Sequence, residues 1–302
     1  MTKTVLLTGG SGLVGRHLSR KLNEKGYVVT NLSRTKKNDN CTFYWNPEKR
    51  ILDNNAIKNV NAIIHLAGAS IGESRWTALR KEEIIQSRIA TTRFLMDSVK
   101  EFNSNLSCFI AASGVGYYGT SHPTKVYTED DDAGNDFLAN VCVVWEKETE
   151  KFKDLGIRTV ILRTGLVLAK DALALQKIAF PVKMGIGSPI GSGNQPMPWI
   201  HIDDLCELYI QAMENSQFSG IYNAVSPETP SNSKFIKTLA AVLKKPFIPI
   251  GVPEFLLKVM LGELADLVLK GSNISSEKII STGFEHKYPY LYQALENLLK
   301  KD

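Results

Sequence analysis

Through the first half of the chain, short aliphatic runs alternate with stretches whose apolar positions recur at helical spacing. The runs are TVLLT (4–8), YVVTNLS (27–33), AIIHLAG (62–68), LSCFIAAS (106–113) and RTVILRT (158–164). Each is nearly continuous in apolar character rather than alternating, which predicts strands buried on both faces. LVGRHLSRKLNEKG, LRKEEIIQSRIATTRFLMDSVKEF and DFLANVCVVWEKE lie between them and read as helices; the last has aspartate at its start and glutamates towards its end. Strands of this kind joined by helices predict an α/β fold, a parallel sheet covered on both sides.

Beyond residue 166 the rhythm changes. GIGSPIGSGNQPMPW is dense in glycine and proline and reads as an ordered loop. WIHIDDLCELYIQAMEN reads as a helix with aspartates at its start and Asp203 as its cap, and GIYNAVSP as a further strand. A helix capped near Ser231–Ser233 follows, and several short helices finish the chain. This assigns 1–166, with about 200–225, to the sheet domain, and 167–199 with 226–302 to a smaller C-terminal α/β lobe for substrate. The two interleave without one clean boundary.

Composition narrows the function classes. Of 302 residues, 43% are apolar and 22% charged, which suits a soluble globular protein with a sizeable core, and the net charge of +5 is mild. No Lys/Arg block of five or more is present, so no nucleic-acid partner is expected. Cys41, Cys108, Cys142 and Cys206 form no CxxC pair and read as buried free thiols in a reducing compartment. The five histidines lack zinc spacing, so no metal is expected. A strand begins almost at once, with no signal peptide ahead of it, and no apolar run approaches the roughly 18 residues of a membrane span. The most apolar segment, EFLLKVMLGELADLVLK, is broken by Lys258, Glu263 and Asp266 and reads as an amphipathic surface helix. The expectation is a cytoplasmic protein with a small-molecule substrate and no membrane partner; monomer and homodimer both stay open.

TVLLTGGSGLVGRHL places Gly9, Gly12 and Gly15 at three-residue intervals between a strand and a helix. Such glycines give a tight turn, close approach of backbone to a pyrophosphate, and close packing of helix on strand. The loop from Gly9 and Gly10 through Ser11, Gly12, Leu13 and Val14 to Gly15 is therefore expected to cradle a dinucleotide, with the helix N-terminus facing its phosphates. The second strand ends NLSRTKK, where an NAD site usually presents a carboxylate to the ribose hydroxyls. Arg34 suits a 2′-phosphate and Ser33 adds a hydroxyl, so NADP is the expected cofactor. Lys36 and Lys37 add positive field from solvent.

TGGSGLVG, HLAGAS, ASGVGYYG and WIHIDDL together resemble the extended short-chain dehydrogenase/reductase superfamily. RWTALRKEEIIQSRIATTRFL, ILRTGLVL, GSPIGSGNQPMPWIHIDDL and GELADLVLKGSNISSEKIISTGF are similar to its atypical branch of epimerase family proteins, often labelled nucleoside-diphosphate-sugar epimerases or cell-division-inhibitor-like proteins. The likeness runs over essentially the whole chain. It implies a Rossmann-type, doubly wound parallel sheet with a small C-terminal substrate lobe. It also implies cofactor contacts from the glycine loop, Ser33 and Arg34, from Leu66, Ala67 and Gly68 of HLAG, from Glu83 and Arg88 of EEIIQSR, and from Val167 of RTGLV. HLAG ends a strand at the carboxyl edge of the sheet, where a nucleotide lies. For Glu83 and Arg88, an ion pair on the helix surface is the other reading.

Superfamily members typically use a tyrosine, with a lysine four residues later, on the helix after the fifth strand, and a serine from the preceding turn. Aligned on Glu146, that helix presents Leu138 and Cys142 instead, and a one-residue shift gives Phe137 and Val141. The pair is absent. Ser113 is then the candidate donor to a substrate oxygen, although one alignment puts the usual serine position on Gly114. Tyr118 is the candidate acid if a positive neighbour lowers its pKa, with Tyr117 beside it; structural packing competes for both. Gln195, Trp199, His201 and Asn223 face either substrate or the loops and helix they anchor. The sequence thus supports an NADP-dependent oxidoreductase or epimerase-like enzyme on a small polar, nucleotide- or sugar-linked substrate. The alternative is an NADP(H)-binding sensor or interaction protein without turnover.

Overall fold

The apolar runs become strands because successive residues point to opposite faces and both faces are covered. In the computed structural model, which describes residues 3–103, 105–119 and 125–300, Val5, Leu7, Ile64 and Ile110 enter one hydrophobic cluster while Leu6, Ile63 and Phe109 enter another. Each such side chain contributes about 1.5–3 kcal/mol by leaving water.

The first half contains β1 (Thr4–Thr8), α1 (Leu13–Glu24), β2 (Val28–Ser33), β3 (Thr42–Asn46), β4 (Ile51–Leu52), α2 (Asn55–Lys58), β5 (Ala62–His65), α3 (Ala78–Phe102) and β6 (Cys108–Gly114). After a 3-10 turn at Val115–Tyr118 come β7 (Val126–Tyr127), α4 (Phe137–Glu150), β8 (Arg158–Thr164), β9 (Leu166–Leu168), α5 (Leu173–Lys183), β10 (Trp199–His201), α6 (Ile202–Glu214) and β11 (Gly220–Ala224). The last part holds α7 (Asn232–Val242), α8 (Glu254–Leu261), α9 (Asp266–Leu269), β12 (Asn273–Ile274), α10 (Glu277–Ser281) and α11 (Leu291–Leu299).

The main sheet has the order β11-β8-β6-β5-β1-β2-β3-β4. β3 and β4 pair antiparallel, and every other neighbouring pair is parallel. α1 and α6 pack together over one face, α3 and α4 over the other. The doubly wound α/β fold is as expected. The cluster under α1 and α6 continues into α5, α7 and α11 through Leu175, Phe235 and Leu295, so sheet and C-terminal segment share one core.

Several local readings need correction. β3 and β4 carry no continuous apolar run, because TFYWN lies half open with only Trp45 buried. Trp199–His201 is a strand beside β9, not the first turn of a helix. The cap of α6 is His201, whose Nδ1 accepts the Asp203 N–H at 3.0 Å; the Asp203 carboxylate pairs with Lys21 at 3.1 Å instead. Cys41 is exposed, whereas Cys108, Cys142 and Cys206 are buried. Other caps are those the sequence predicts: Asp136 accepts from Ala139 N–H at 2.9 Å and Ser231 from Lys234 N–H at 3.2 Å. The Gly/Pro-rich loop is ordered by pairing, with bridges from Gly187 to Phe247 and from Ile190 to Val252.

Candidate functional site

From β1 the chain winds one way through β2 and β3, then returns to β5 and winds the other way through β6, β8 and β11. The carboxyl ends of β1 and β5 therefore flank the point where the order reverses, which is where open α/β sheets form a ligand crevice. Gly9 turns there with φ +71°, and a Cβ on it would lie 2.9 Å from the Leu66 carbonyl. On Gly15, a Cβ would lie 2.4 Å from Gly9 O and 2.6 Å from Gly10 Cα, so the helix sits directly on the turn. α1 starts after Gly12 with no side-chain cap and no acidic residue in its first turn. The N–H groups of Leu13, Val14 and Gly15 thus face the crevice without an anionic side chain to claim them. Arg16 braces the cradle, donating to Ser11 O and to Asp171 Oδ2, both at 2.8 Å.

At the end of β2 the Ser33 hydroxyl closes a local turn, donating to Thr35 O at 2.8 Å and accepting from Thr35 N–H at 3.1 Å. Arg34 is exposed and engages no ion pair among the described residues. Lys36 lies over the Tyr44 ring, 5.6 Å from its centroid.

The HLAG turn is held from below by two residues that the sequence reading did not single out. Thr8 Oγ1 accepts from Leu66 N–H at 3.2 Å and Ala67 N–H at 3.1 Å, and lies 2.7 Å from His65 Nδ1. Thr92 Oγ1 donates to Arg88 O at 2.7 Å and meets His65 Nε2 at 3.1 Å. With Thr8 already accepting twice and Thr92 already donating, this pattern assigns a neutral imidazole that accepts at Nδ1 and donates at Nε2. Burial, with help from the Arg88 charge, lowers its pKa to about 3. The available signal was local: threonine and histidine each end a strand beside the crevice.

Arg88 reaches from α3 under Gly68, where a Cβ would lie 3.1 Å from its guanidinium carbon. It donates to Ile84 O at 2.9 Å and Ala69 O at 3.2 Å and stacks over Trp145, while its buried Nε has no partner among the described residues. Burial lowers its pKa to about 10, which leaves it charged near neutrality. Glu83 takes the other course: its exposed carboxylate accepts from Arg80 at 2.7 Å, an ion pair on the helix surface. Val167 is half-buried in β9 against the main core.

The opposite wall is built from β6, α4 and β8. Leu138 packs against Gly116, and Cys142 donates its thiol to Gly114 O at 3.5 Å, its pKa pushed up to about 11 by burial and the nearby Glu146. Ser113 does not face outward. Its hydroxyl donates to Glu146 Oε1 at 2.6 Å, and Arg163 grips the same carboxylate through Nε at 2.9 Å and Nη2 at 2.8 Å. Arg163 Nη1 donates to the Tyr118 hydroxyl at 3.0 Å, which donates in turn to Asn223 Oδ1 at 2.6 Å. All five residues are buried. Burial opposes the charge on Arg163, but Glu146 outweighs it and holds the guanidinium protonated. For Tyr118 burial wins over Arg163, and its pKa rises to about 12. The depressed phenol pKa that an acid role required is thus not what its surroundings produce. Tyr117 lies against the face of Arg163, 3.3 Å from ring centroid to guanidinium carbon.

The remaining candidates are structural in their contacts. Gln195 donates to Ile190 O at 3.0 Å and Val268 O at 2.8 Å, tying the loop to the C-terminal segment. Trp199 is fully buried, and the His201 ring lies 4.0 Å from that of Tyr288. Asn223 Nδ2 also donates to Ser275 O at 3.3 Å. Among the described residues no group of three or more His, Cys, Asp or Glu is arranged to hold a metal.

Known proteins match this chain in sequence and fold. The NAD dependent epimerase/dehydratase family model covers residues 5–224, and that of a domain of unknown function, DUF1731, covers 252–298. The epimerase family protein YfhF of Bacillus subtilis is 35% identical over 300 residues, spanning 98% of this chain and 97% of that protein. The crystal structure of human epimerase family protein SDR39U1 (isoform 2) with NADPH superposes with a TM-score of 0.88 at 30% identity, covering 98% of each chain. UDP-glucose 4-epimerase of Thermotoga maritima, at 18% identity and a TM-score of 0.78, shares the fold.

Proposed function

Because the chain belongs to the NAD-dependent epimerase/dehydratase family, in the branch of the epimerase family proteins, we propose that it binds NADP(H) at the β1–β5 crevice and uses it in an oxidoreductase or epimerase-like reaction. The observation that carries this reading is Arg34 at the end of β2, exposed and without an ion pair among the described residues, where a carboxylate would mark an NAD site, together with the uncapped N-terminus of α1. A guanidinium there grips a 2′-phosphate with two charge-assisted bonds. The amides at the start of α1 take the pyrophosphate, presented by a turn that only glycine at 9 and 15 lets pack so closely against HLAG and α1. Arg88 keeps a positive charge near Gly68 and Cys142, compensating in part for the lysine missing at position 142. NADPH, when bound, supplies a hydride to a substrate carbon. The fit of the solved human relative, determined with NADPH, supports the same reading.

The substrate class we infer is small and polar, nucleotide- or sugar-linked. Titration with NADPH and NADH in parallel tests the cofactor; equal affinity for the two refutes the role of Arg34. Offering sugar nucleotides, aldehydes and ketones with NADPH and following its oxidation tests turnover. A second reading has its own support: with Leu138 and Cys142 in place of the pair, and the Ser113 and Tyr118 hydroxyls spent inside the protein, the chain suits an NADP(H)-occupancy sensor. NADPH binding without turnover across the panel favours it.

A further inference from the structure

Exposed apolar side chains gather in two stretches that run side by side. Segment 185–191 runs beside 246–252, joined by the bridges Gly187 to Phe247 and Ile190 to Val252 and by Ile248 N–H donating to Gly187 O at 2.8 Å. This brings the end of α5 and the beginning of α8 to one face of the C-terminal segment. Met184, Ile186, Ile250, Phe255, Val259 and Met260 lie along these two stretches, each with 60 to 76% of its surface open. α8 reads EFLLKVML, yet none of its described side chains is buried. Phe255 and Val259 are one helical step apart, as are Leu256 and Met260, so they form a double stripe on one side of the helix. Arg75 pins its C-terminal end by donating to Val259 O at 2.9 Å and to Met260 O at 3.0 Å, so the stripe is held in place.

Charge says what covers it. Residues 173–191 and 241–261 carry Lys177, Lys183, Lys244, Lys245 and Lys258 against the single acid Glu254. Five lysines against one glutamate leave +4, most of the +5 of the whole chain. The first four of these lysines are exposed and engage no ion pair among the described residues. Two copies meeting across a two-fold axis on this face would bring like charges together, which disfavours a second copy as the occupant. An anionic bilayer matches both features: its acyl boundary takes the apolar stripe and its headgroups take the lysines. We propose that this face docks the protein peripherally on a membrane bearing anionic headgroups, with α8 lying in the plane of the interface. No helix among the described residues is long and apolar enough to cross a membrane, and surface docking requires none. This departs from the expectation of no membrane partner.

Sedimentation of the full-length chain with vesicles tests it, using phosphatidylcholine alone and phosphatidylcholine mixed with phosphatidylglycerol. The expected result is pelleting with the anionic vesicles and release as salt is raised. Lys244→Gln/Lys245→Gln should weaken partitioning about tenfold or more at low salt, from about a kcal/mol for each lysine near the surface. Phe255→Ser/Val259→Ser should abolish it, with the circular dichroism and melting of the parent retained in both variants. Recovery of the wild type in the supernatant with both vesicles overturns the proposal. So does vesicle binding that neither variant changes, a dimer in sedimentation velocity that Phe255→Ser/Val259→Ser splits, or binding to a polyglutamate peptide in place of vesicles.

Discussion

The two walls of the crevice treat their polar groups in opposite ways. On the β1–β2 side the Ser33 hydroxyl closes its own turn, but the helix amides and the guanidinium are left unspent: the first turn of α1 has no cap and Arg34 has no ion-pair partner among the described residues. On the β6–β8 side they are spent internally, with Ser113, Glu146, Arg163, Tyr118 and Asn223 closed into one buried chain of hydrogen bonds. A binding site needs donors held rigid but unsatisfied, so that a ligand completes them. A buried network needs the reverse, because a missing partner in low dielectric costs more than the bond is worth. By that criterion the first wall suits the anion site proposed for it, while the second holds the sheet and α4 together.

The sharpest test of this contrast is Arg163→Met. Removing one partner of a buried, bidentate ion pair leaves Glu146 charged and uncompensated, which should cost about 3–5 kcal/mol of stability. Chemical denaturation measures it, and Arg163→Met/Glu146→Leu should recover a large part of the loss. An unchanged midpoint for the single variant would mean that the second wall is not structural, and the contrast would fail.

Next in size is Arg34→Ala on the first wall. It should weaken NADPH binding by about 1.5–3 kcal/mol, ten- to hundred-fold, and leave NADH binding unchanged. Because Arg34 is exposed and holds no ion pair among the described residues, the melting temperature should stay where it is. Loss of stability together with affinity would place Arg34 among the structural groups instead.

A smaller effect should appear on acidification. His65 and His201 are buried neutral, with pKa values lowered by burial to about 3 and about 4. The unfolded chain binds protons on both near the ordinary value of about 6.5, so stability is full above that pH and declines below it. Between pH 7 and 5.5, where unfolded carboxylates are still largely ionised, each histidine should remove about 1 kcal/mol. Denaturation midpoints that do not move across this window would mean that the imidazoles are reached by water or by a carboxylate, and that the support under the HLAG turn is looser than its bond lengths imply.

This contrast also explains what was legible in the sequence. The cradle was, because its demands are local: a positive φ at Gly9 and the absence of a Cβ at Gly15 are requirements of the turn itself. The exposed place of Arg34, one residue past a strand end, was legible for the same reason. The direction taken by Ser113 and Tyr118 was not. Tyr118 meets Arg163 and Asn223 across 45 and 105 residues of chain, so its hydroxyl is oriented by strands that pair only in the folded sheet. The cap at His201 escaped similarly, since aspartate is the commoner cap and only Lys21, on a helix far back in the chain, draws Asp203 away.

The smallest effect on chemistry, and the one that decides how far the contrast reaches, is expected from Tyr118→Phe. The hydroxyl accepts from Arg163 and donates to Asn223, so its loss should cost about 1–2 kcal/mol of stability by leaving both partners short. If the phenol serves only that network, any NADPH-dependent turnover found in a substrate panel should persist within about twofold, since a group with a pKa raised to about 12 is poorly matched to proton transfer near neutrality. A fall of a hundredfold or more at unchanged NADPH affinity would show that the network opens during reaction and that Tyr118 reaches substrate. In that case a wall satisfied at rest would still be a reacting wall, and unspent donors would mark only where the cofactor sits.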